Sequence, residues 1–413
     1  MVKRIAAIIF IFIRATAAWV ALGGTILVRT YEADERLKDR VVSTWGAPHV
    51  QQAPRASFDR IVASRVEQIV DGRKVATTKE ETVTEHLALV RTRARADLAV
   101  EHRQKGLLWY STYAVKFAGE YSFVNQSDAS RTVTFTLPFP AQQATYDDVA
   151  LTVNGRAMEP SYSVSSASAS ASAEVPAGQT ALFQLSYRSR GLDRWGYNFG
   201  ENVSGARDFQ LVVATNFKDY DFPDNTLSPT DKQENDGGAQ LTWQYNNLVS
   251  GVPIAIAMPQ KLQPGPLAGQ ISFFAPVSLF FFFFLMFIIT TMRGIELHPM
   301  NYFFLAGAFF AFHLLLAYLV DHISIHLAFA ICSLVSVFLV VSYLRLVVGV
   351  RFAAVEAAIS QLIYLVFFSY AFFFKGFTGL AITIGAIITL FVVMQMTGRI
   401  RWEQHFAPKP ARA

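Results

Sequence analysis

The hydrophobic pattern of the chain changes character near residue 270. From Ile271 onward apolar positions are nearly continuous and fall into five runs: Ile271–Met292, Tyr302–Val320, Leu327–Val348, Phe352–Phe374 and Phe377–Thr397. Each holds roughly 20 residues, the number a helix rising about 1.5 Å per residue needs to cross a hydrocarbon core. Hydrocarbon offers a backbone amide no partner, so runs of this length are predicted to be closed helices. Short polar hinges separate them: Arg293-Gly294 with His298-Pro299, Asp321-His322, Gly349 with Arg351, and Lys375-Gly376. A sixth run, Ile5–Val28, follows the basic head Met1–Arg4. It continues well past Ala15-Thr16-Ala17, small residues of the kind found at signal-peptide cleavage sites, which favours an uncleaved anchor.

Between the anchor and the membrane block the pattern shortens. Tyr31–Arg40 is charged, and Leu37, Val41 and Trp45 are spaced as one face of a short helix. Beyond Ser57 the alternation becomes strand-like. Thr82–Glu101, Trp109–Phe117, Glu120–Asn125, Arg131–Phe139, Val149–Val153, Ala181–Arg188, Phe209–Thr215 and Leu241–Tyr245 are the predicted strands. Asn154-Gly155 predicts a tight hairpin turn after one of them. The alternating Ser/Ala run Ser163–Ala173 reads as a low-complexity loop, and Met258–Gln270, rich in Pro and Gly, reads as a stiff linker.

The predicted fold class is a helical polytopic membrane protein of about six transmembrane helices. A large extracytoplasmic all-β, sandwich-like domain is inserted between the first and second helices. The expected divisions are an anchor (1–28), a β-rich domain (29–258), a linker (259–270), a five-helix bundle (271–402) and a tail (403–413). Arginines cluster in alternate hinges, and cytoplasmic loops collect Lys and Arg. The expected topology therefore has both termini cytoplasmic and residues 29–270 outside.

Composition agrees once the chain is split: 52% hydrophobic residues and 36 Phe are too apolar for a soluble protein of 413 residues. The net charge of +5 does not point to nucleic acid, because many Lys and Arg sit at helix ends and no basic patch with interleaved aromatics occurs. The single cysteine, Cys332, rules out an intramolecular disulfide and a Cys-based zinc site. No nucleotide, phosphate-cradling, nucleophile-elbow or His-Glu-x-x-His motif is present, so no cofactor, metal or enzymatic activity is expected. Asp219–Asp224 lacks the Gly and terminal Glu of a calcium loop and reads as an acidic turn.

The candidate chemistry is intramembrane. His313, Ala317 and Asp321 lie on one helix face, with His322, His326 and Lys375 near the outer edge. Such a set either relays protons, binds an anionic head group or a metal, or simply caps a wet helix turn while His313 hydrogen-bonds within the bundle. Glu356 lies about one turn into the fifth span, sharing its face with Ser360 and Tyr364. Arg14 interrupts the first span and either snorkels to the interface or finds a partner. Depth counting puts Arg14 and Glu356 in the same half of the membrane, so an Arg14–Glu356 ion pair is expected. Gln361 and Gln395 are expected to bind helices together, and Phe280–Phe284 to face lipid.

The order Leu297-His298-Pro299-Met300-Asn301-Tyr302-Phe303, His313-Leu314-Leu315-Leu316, Tyr318, Asp321-His322-Ile323, Tyr343-Leu344 and Met396–Trp402 resembles the CreD family of bacterial inner-membrane proteins. Asp321 stands where family members often carry Glu. The resemblance extends to architecture: one anchor, a large periplasmic domain, then a bundle. It implies a role in envelope homeostasis, including tolerance to colicins and cell-wall-directed antibiotics, and supplies no chemical mechanism. The expected function is thus non-enzymatic, with membrane lipid and an envelope protein or wall component as partners. The alternative is a transporter or proton relay using His313, Asp321 and Glu356.

Overall fold

A computed structural model describes residues 2–70, 73–105, 108–200, 204–374 and 376–398. Lys375 and the terminal cations Arg399, Arg401, Lys409 and Arg412 lie outside the described residues. The chain divides into two compact units, one of residues 1–36 and 262–413, the other of residues 37–261.

Among the described residues six helices are long and apolar enough to cross a membrane. They are α1 (Val2–Trp45), α2 (Pro264–Met292), α3 (Pro299–Leu319), α4 (Ile325–Val348), α5 (Val350–Phe373) and α6 (Thr378–Thr397). The first helix runs past the expected end at Val28, and its last turns hold the predicted face. Val41 is fully buried with Leu108, Tyr110 and Leu192, and Leu37 and Trp45 pack against them. The Pro-rich linker is shorter than its composition suggested. Pro264 and Pro266 fall in the first turn of α2, where a missing N–H costs nothing and a fixed φ favours the helix.

The membrane core is aromatic, centred on Phe282, Tyr302, Phe309 and Phe312. Phe282 and Phe283 are buried there, so only part of the expected lipid-facing Phe run is exposed. Small residues let α1 approach α2: a Cβ added at Gly23 would stand 2.9 Å from the Phe273 ring, and one at Gly269 would stand 3.1 Å from Leu27. Such close crossings are how helices gain van der Waals contact in lipid. Two stretches of α5, Ala353–Ala357 and Leu362–Phe367, are π-helical.

The second unit is built of strands. In chain order they are β1 (His49–Gln52), β2 (Arg55–Val70), β3 (Arg73–His86), β4 (Ala88–Lys105), β5 (Leu108–Val124), β6 (Arg131–Pro138), β7 (Tyr146–Val153) and β8 (Arg156–Met158). There follow β9 (Ser161–Ser163), β10 (Ser168–Val175), β11 (Thr180–Leu192), β12 (Arg194–Asn198), β13 (Ser204–Thr215), β14 (Asp231–Asn235), β15 (Gly238–Ser250) and β16 (Ile254–Ala257). The sheet orders are β1-β12-β16, β3-β2-β6-β10-β9 and β14-β15-β13-β4-β5-β11-β7-β8. One core joins all three sheets. Phe135 of the five-stranded sheet stacks 5.2 Å from Phe183 and meets Phe123 edge-on at 5.8 Å, both of the eight-stranded sheet, the packing of one sheet face on another in a sandwich.

Asn154 and Gly155, with φ of 50° and 76°, form the predicted turn between β7 and β8. Thr82–Glu101 is not one strand; it breaks at Leu87 between β3 and β4. The Ser/Ala run is corrected from loop to strand over β10. Its alanines Ala169 and Ala171 turn inward, and all eight residues pair with β6, so period-2 burial outweighs low complexity.

Replacing Gly269 by Leu is expected to overpack the α1–α2 crossing and destabilise the bundle by about 1–3 kcal/mol. A lowered thermal midpoint of the detergent-solubilised chain, with Gly307→Leu (open space around its Cβ) unchanged, checks it.

Candidate functional site

Among the described residues of the membrane unit two ion pairs join different helices, and neither is the expected one. Asp321 accepts from Arg29, with an N–O separation of 3.3 Å, and Arg29 also donates to the Ala317 carbonyl at 2.9 Å. Arg29 stands over the Tyr318 ring as well. This arginine follows the apolar run of α1 and ties that helix to the end of α3. Glu356 pairs with Arg293, at the C-terminal cap of α2, and not with Arg14. Arg14 is exposed on α1, its guanidinium over the Phe10 ring at 5.2 Å. Depth counting put Arg14 and Glu356 at one level but carried no information about which helix faces which.

Asp321, His322 and His326 are not gathered into one site. Asp321 turns to Arg29, His322 is exposed, and His326 lies 5.0 Å from the Phe373 ring. His313 is fully buried one turn and more away. Its Nδ1 donates to the Phe309 carbonyl at 2.9 Å, which leaves Nε2 as an acceptor with no partner among the described residues. The Trp19 ring meets it edge-on at 5.6 Å, and the indole N–H is also buried without a partner.

Between and within the two π stretches of α5, Ser360, Gln361 and Tyr364 are buried in the bundle. Gln361 donates to Ser336 Oγ at 2.7 Å, and Ser336 donates to the Ala308 carbonyl at 2.7 Å, linking α5, α4 and α3. Tyr364 donates to Thr389 Oγ1 at 2.8 Å, bringing in α6. Gln361 is therefore the expected glue, whereas Gln395 is exposed. Gln361 Oε1 and Glu356 Oε2 remain buried acceptors without a donor.

The β unit carries two features that the sequence did not announce. The first is a trough on the solvent face of the eight-stranded sheet, with a volume of about 400 Å³. Its floor is a row of small residues running across the strands, Ala118 opposite Ser186 and Ser186 opposite Ala150. One wall is the adjoining register row Gln210, Arg93, Glu120, Gln184 and Thr152. Gln184 donates to Glu120 at 2.8 Å and Thr152 donates to Gln184 at 3.0 Å, so the wall is prealigned. On the other side stand Lys116 and Arg188, the latter paired with Asp148. Alternation within strands was legible, but the trough needs the register between five of them.

The second is a buried polar cluster. His49 stacks on Tyr146 with 6.2 Å between ring centroids, and its Nε2 lies 3.4 Å from Ser189 Oγ. Ser189 donates to the Thr145 carbonyl, and His49 Nδ1 meets no carboxylate, so the pair lacks both a free hydroxyl proton and an orienting acid. Burial holds the His49 pKa down from 6.5 to about 4. Among the described residues no three His, Cys, Asp or Glu side chains come together as metal ligands. Asp221 closes a turn on its own Phe222 amide.

The family model described as inner membrane protein CreD matches residues 1–403. The chain belongs to the CreD inner membrane protein family. Membership accounts for the six apolar helices and assigns the protein to the inner membrane. No curated protein matches the chain. Among solved structures, a proposed nutrient-binding protein from Legionella pneumophila is 10% identical, over 57% of this chain and 76% of that one, with a TM-score of 0.33. An M1 zinc metallopeptidase from Deinococcus radiodurans is 10% identical, over 41% of this chain and 42% of that one, with a TM-score of 0.24. Likeness at that level defines no common fold and transfers no activity.

In this CreD-family chain the Arg29–Asp321 pair is half exposed, so its coupling is small, on the order of 0.5 kcal/mol. A double-mutant cycle of Arg29→Gln and Asp321→Asn on thermal stability measures it. A larger consequence is expected at His49. An imidazole held neutral when folded binds a proton more readily when unfolded, so its contribution is full above pH 6.5 and declines as pH falls to about 4. The expected loss is about 2 kcal/mol by pH 5 and about 3 kcal/mol by pH 4. Melting midpoints of wild type and His49→Gln at pH 7.5 and 5 check it, the variant being flatter.

Proposed function

We propose that this CreD-family protein is a non-enzymatic envelope component whose β unit lies in the periplasm and grips an extended segment of an envelope protein. The trough across the eight-stranded sheet carries this reading. Its floor of Ala118, Ala150 and Ser186 leaves room for a main chain, and its walls offer amide, hydroxyl and charged groups at the spacing of sheet rows. The helices serve as anchor, with both termini in the cytoplasm as the placement of arginines suggests. Tolerance to wall stress follows from holding such a partner at the membrane. Pairing of Asp321 and Glu356 with arginines supports an anchoring use of these charges.

A second reading, proton or solute movement through the bundle, draws on the unpartnered His313 Nε2 and Glu356 Oε2. The two differ in what they need. Ser186→Trp fills the trough at its floor and is expected to abolish partner-specific photo-crosslinks made from Gln210 in cells. Glu356→Gln and His313→Gln are expected to leave those crosslinks in place. Crosslinks that survive Ser186→Trp, with envelope tolerance lost in His313→Gln, overturn the first reading in favour of the second.

A further inference from the structure

Between the first turns of α1 and the middle of α2 lies an apolar cleft of about 370 Å³. Ile5, Ile8 and Phe12 line it from α1, and Phe280, Phe284 and Phe287 from α2. It follows α1 for about 10 Å at 1.5 Å per residue. Phe280 and Ile9, also on its lining, are about half exposed, so the cleft opens at the outer surface of the bundle. Its walls hold essentially no polar atoms; an apolar chain, not a solute, is what it accommodates.

The end of the cleft is different. Arg4 sits one turn before Ile8, with its guanidinium 6.0 Å over the ring of Phe287. Its Nε and Nη2 are buried and have no hydrogen-bond partner among the described residues. A guanidinium carries five donors in a fixed fork and stays charged, so two of them facing no acceptor are costly. A phosphate oxygen pair is the planar bidentate acceptor that relieves this. An apolar slot long enough for acyl methylenes and a cation with unsatisfied donors at its end are complementary to the two halves of one molecule.

We infer that the cleft is a lipid site: it takes an acyl chain of an anionic glycerophospholipid from the surrounding bilayer, whose phosphate accepts hydrogen bonds from Arg4 Nε and Nη2. Bound there, the lipid completes the contact between α1 and α2 that Gly23 and Gly269 begin further along. The site is independent of the trough in the β unit.

Native mass spectrometry of the full chain in detergent, titrated with phosphatidylglycerol or phosphatidylethanolamine of matched acyl chains, tests this. The ammonium of phosphatidylethanolamine competes with Arg4 for the phosphate oxygens, so wild type is expected to retain phosphatidylglycerol at least fivefold better. Arg4→Gln is expected to reduce that retention to the phosphatidylethanolamine level, and Ile8→Trp, which fills the cleft, to lower retention of both. Lys3→Gln removes an equal charge from an exposed neighbouring position and is expected to keep the preference. Equal retention of the two lipids by wild type overturns the inference. So does an undiminished preference in Arg4→Gln, an equal loss in Lys3→Gln, or unchanged binding in Ile8→Trp.

Discussion

Inside a bilayer a polar group has no solvent to fall back on, and the membrane unit is arranged around that constraint. Gln361 is the clearest case. Buried on α5, it donates to Ser336, which in turn donates to the Ala308 carbonyl, so one chain of bonds holds three helices in register. The π turns on either side of Gln361 widen α5 and bring Ser360, Gln361 and Tyr364 to the interior together. Such insertions are rare and concentrate where a helix must re-aim side chains. Tyr364 and Thr389 extend the same logic to α6.

Charges obey it differently. Arg29 and Asp321, and Arg293 and Glu356, sit where one partner remains partly exposed, which lowers the desolvation cost of each pair. Both pairs join helices distant in sequence, so their first effect is on helix placement. The buried atoms left without a partner among the described residues are of both kinds: His313 Nε2, Gln361 Oε1 and Glu356 Oε2 are acceptors, Trp19 Nε1 and Arg4 Nε and Nη2 are donors, and the Thr16, Ser278 and Tyr302 hydroxyls are either. Water, a lipid hydroxyl or a transported proton answers such a set equally well in chemical terms, which is why the bundle by itself does not single out transport.

The β unit solves the opposite problem, since one face of its large sheet is wet. A core shared by three sheets buries Trp195, Trp243, Phe117 and Phe183, and this leaves the outer rows free to vary. They alternate a row of small residues with rows of amides and charges. The trough is the direct consequence of placing Ala118, Ser186 and Ala150 opposite one another.

What the sequence determined by itself follows from distance along the chain. Six apolar runs, the Asn154-Gly155 turn, the helical face of Leu37, Val41 and Trp45, and the family signature around Leu297–Phe303 are all local, so periodicity and composition were enough. Tertiary structure decided the rest. Depth along a helix says nothing of azimuth, so it matched Arg14 to Glu356 when the fold turns Glu356 to Arg293. Low complexity hid the period-2 burial of β10, which exists only because β6 lies beside it. The trough and the chain of bonds from Gln361 through Ser336 to Ala308 arise from segments that meet only in the fold, and no local pattern records which segments those are.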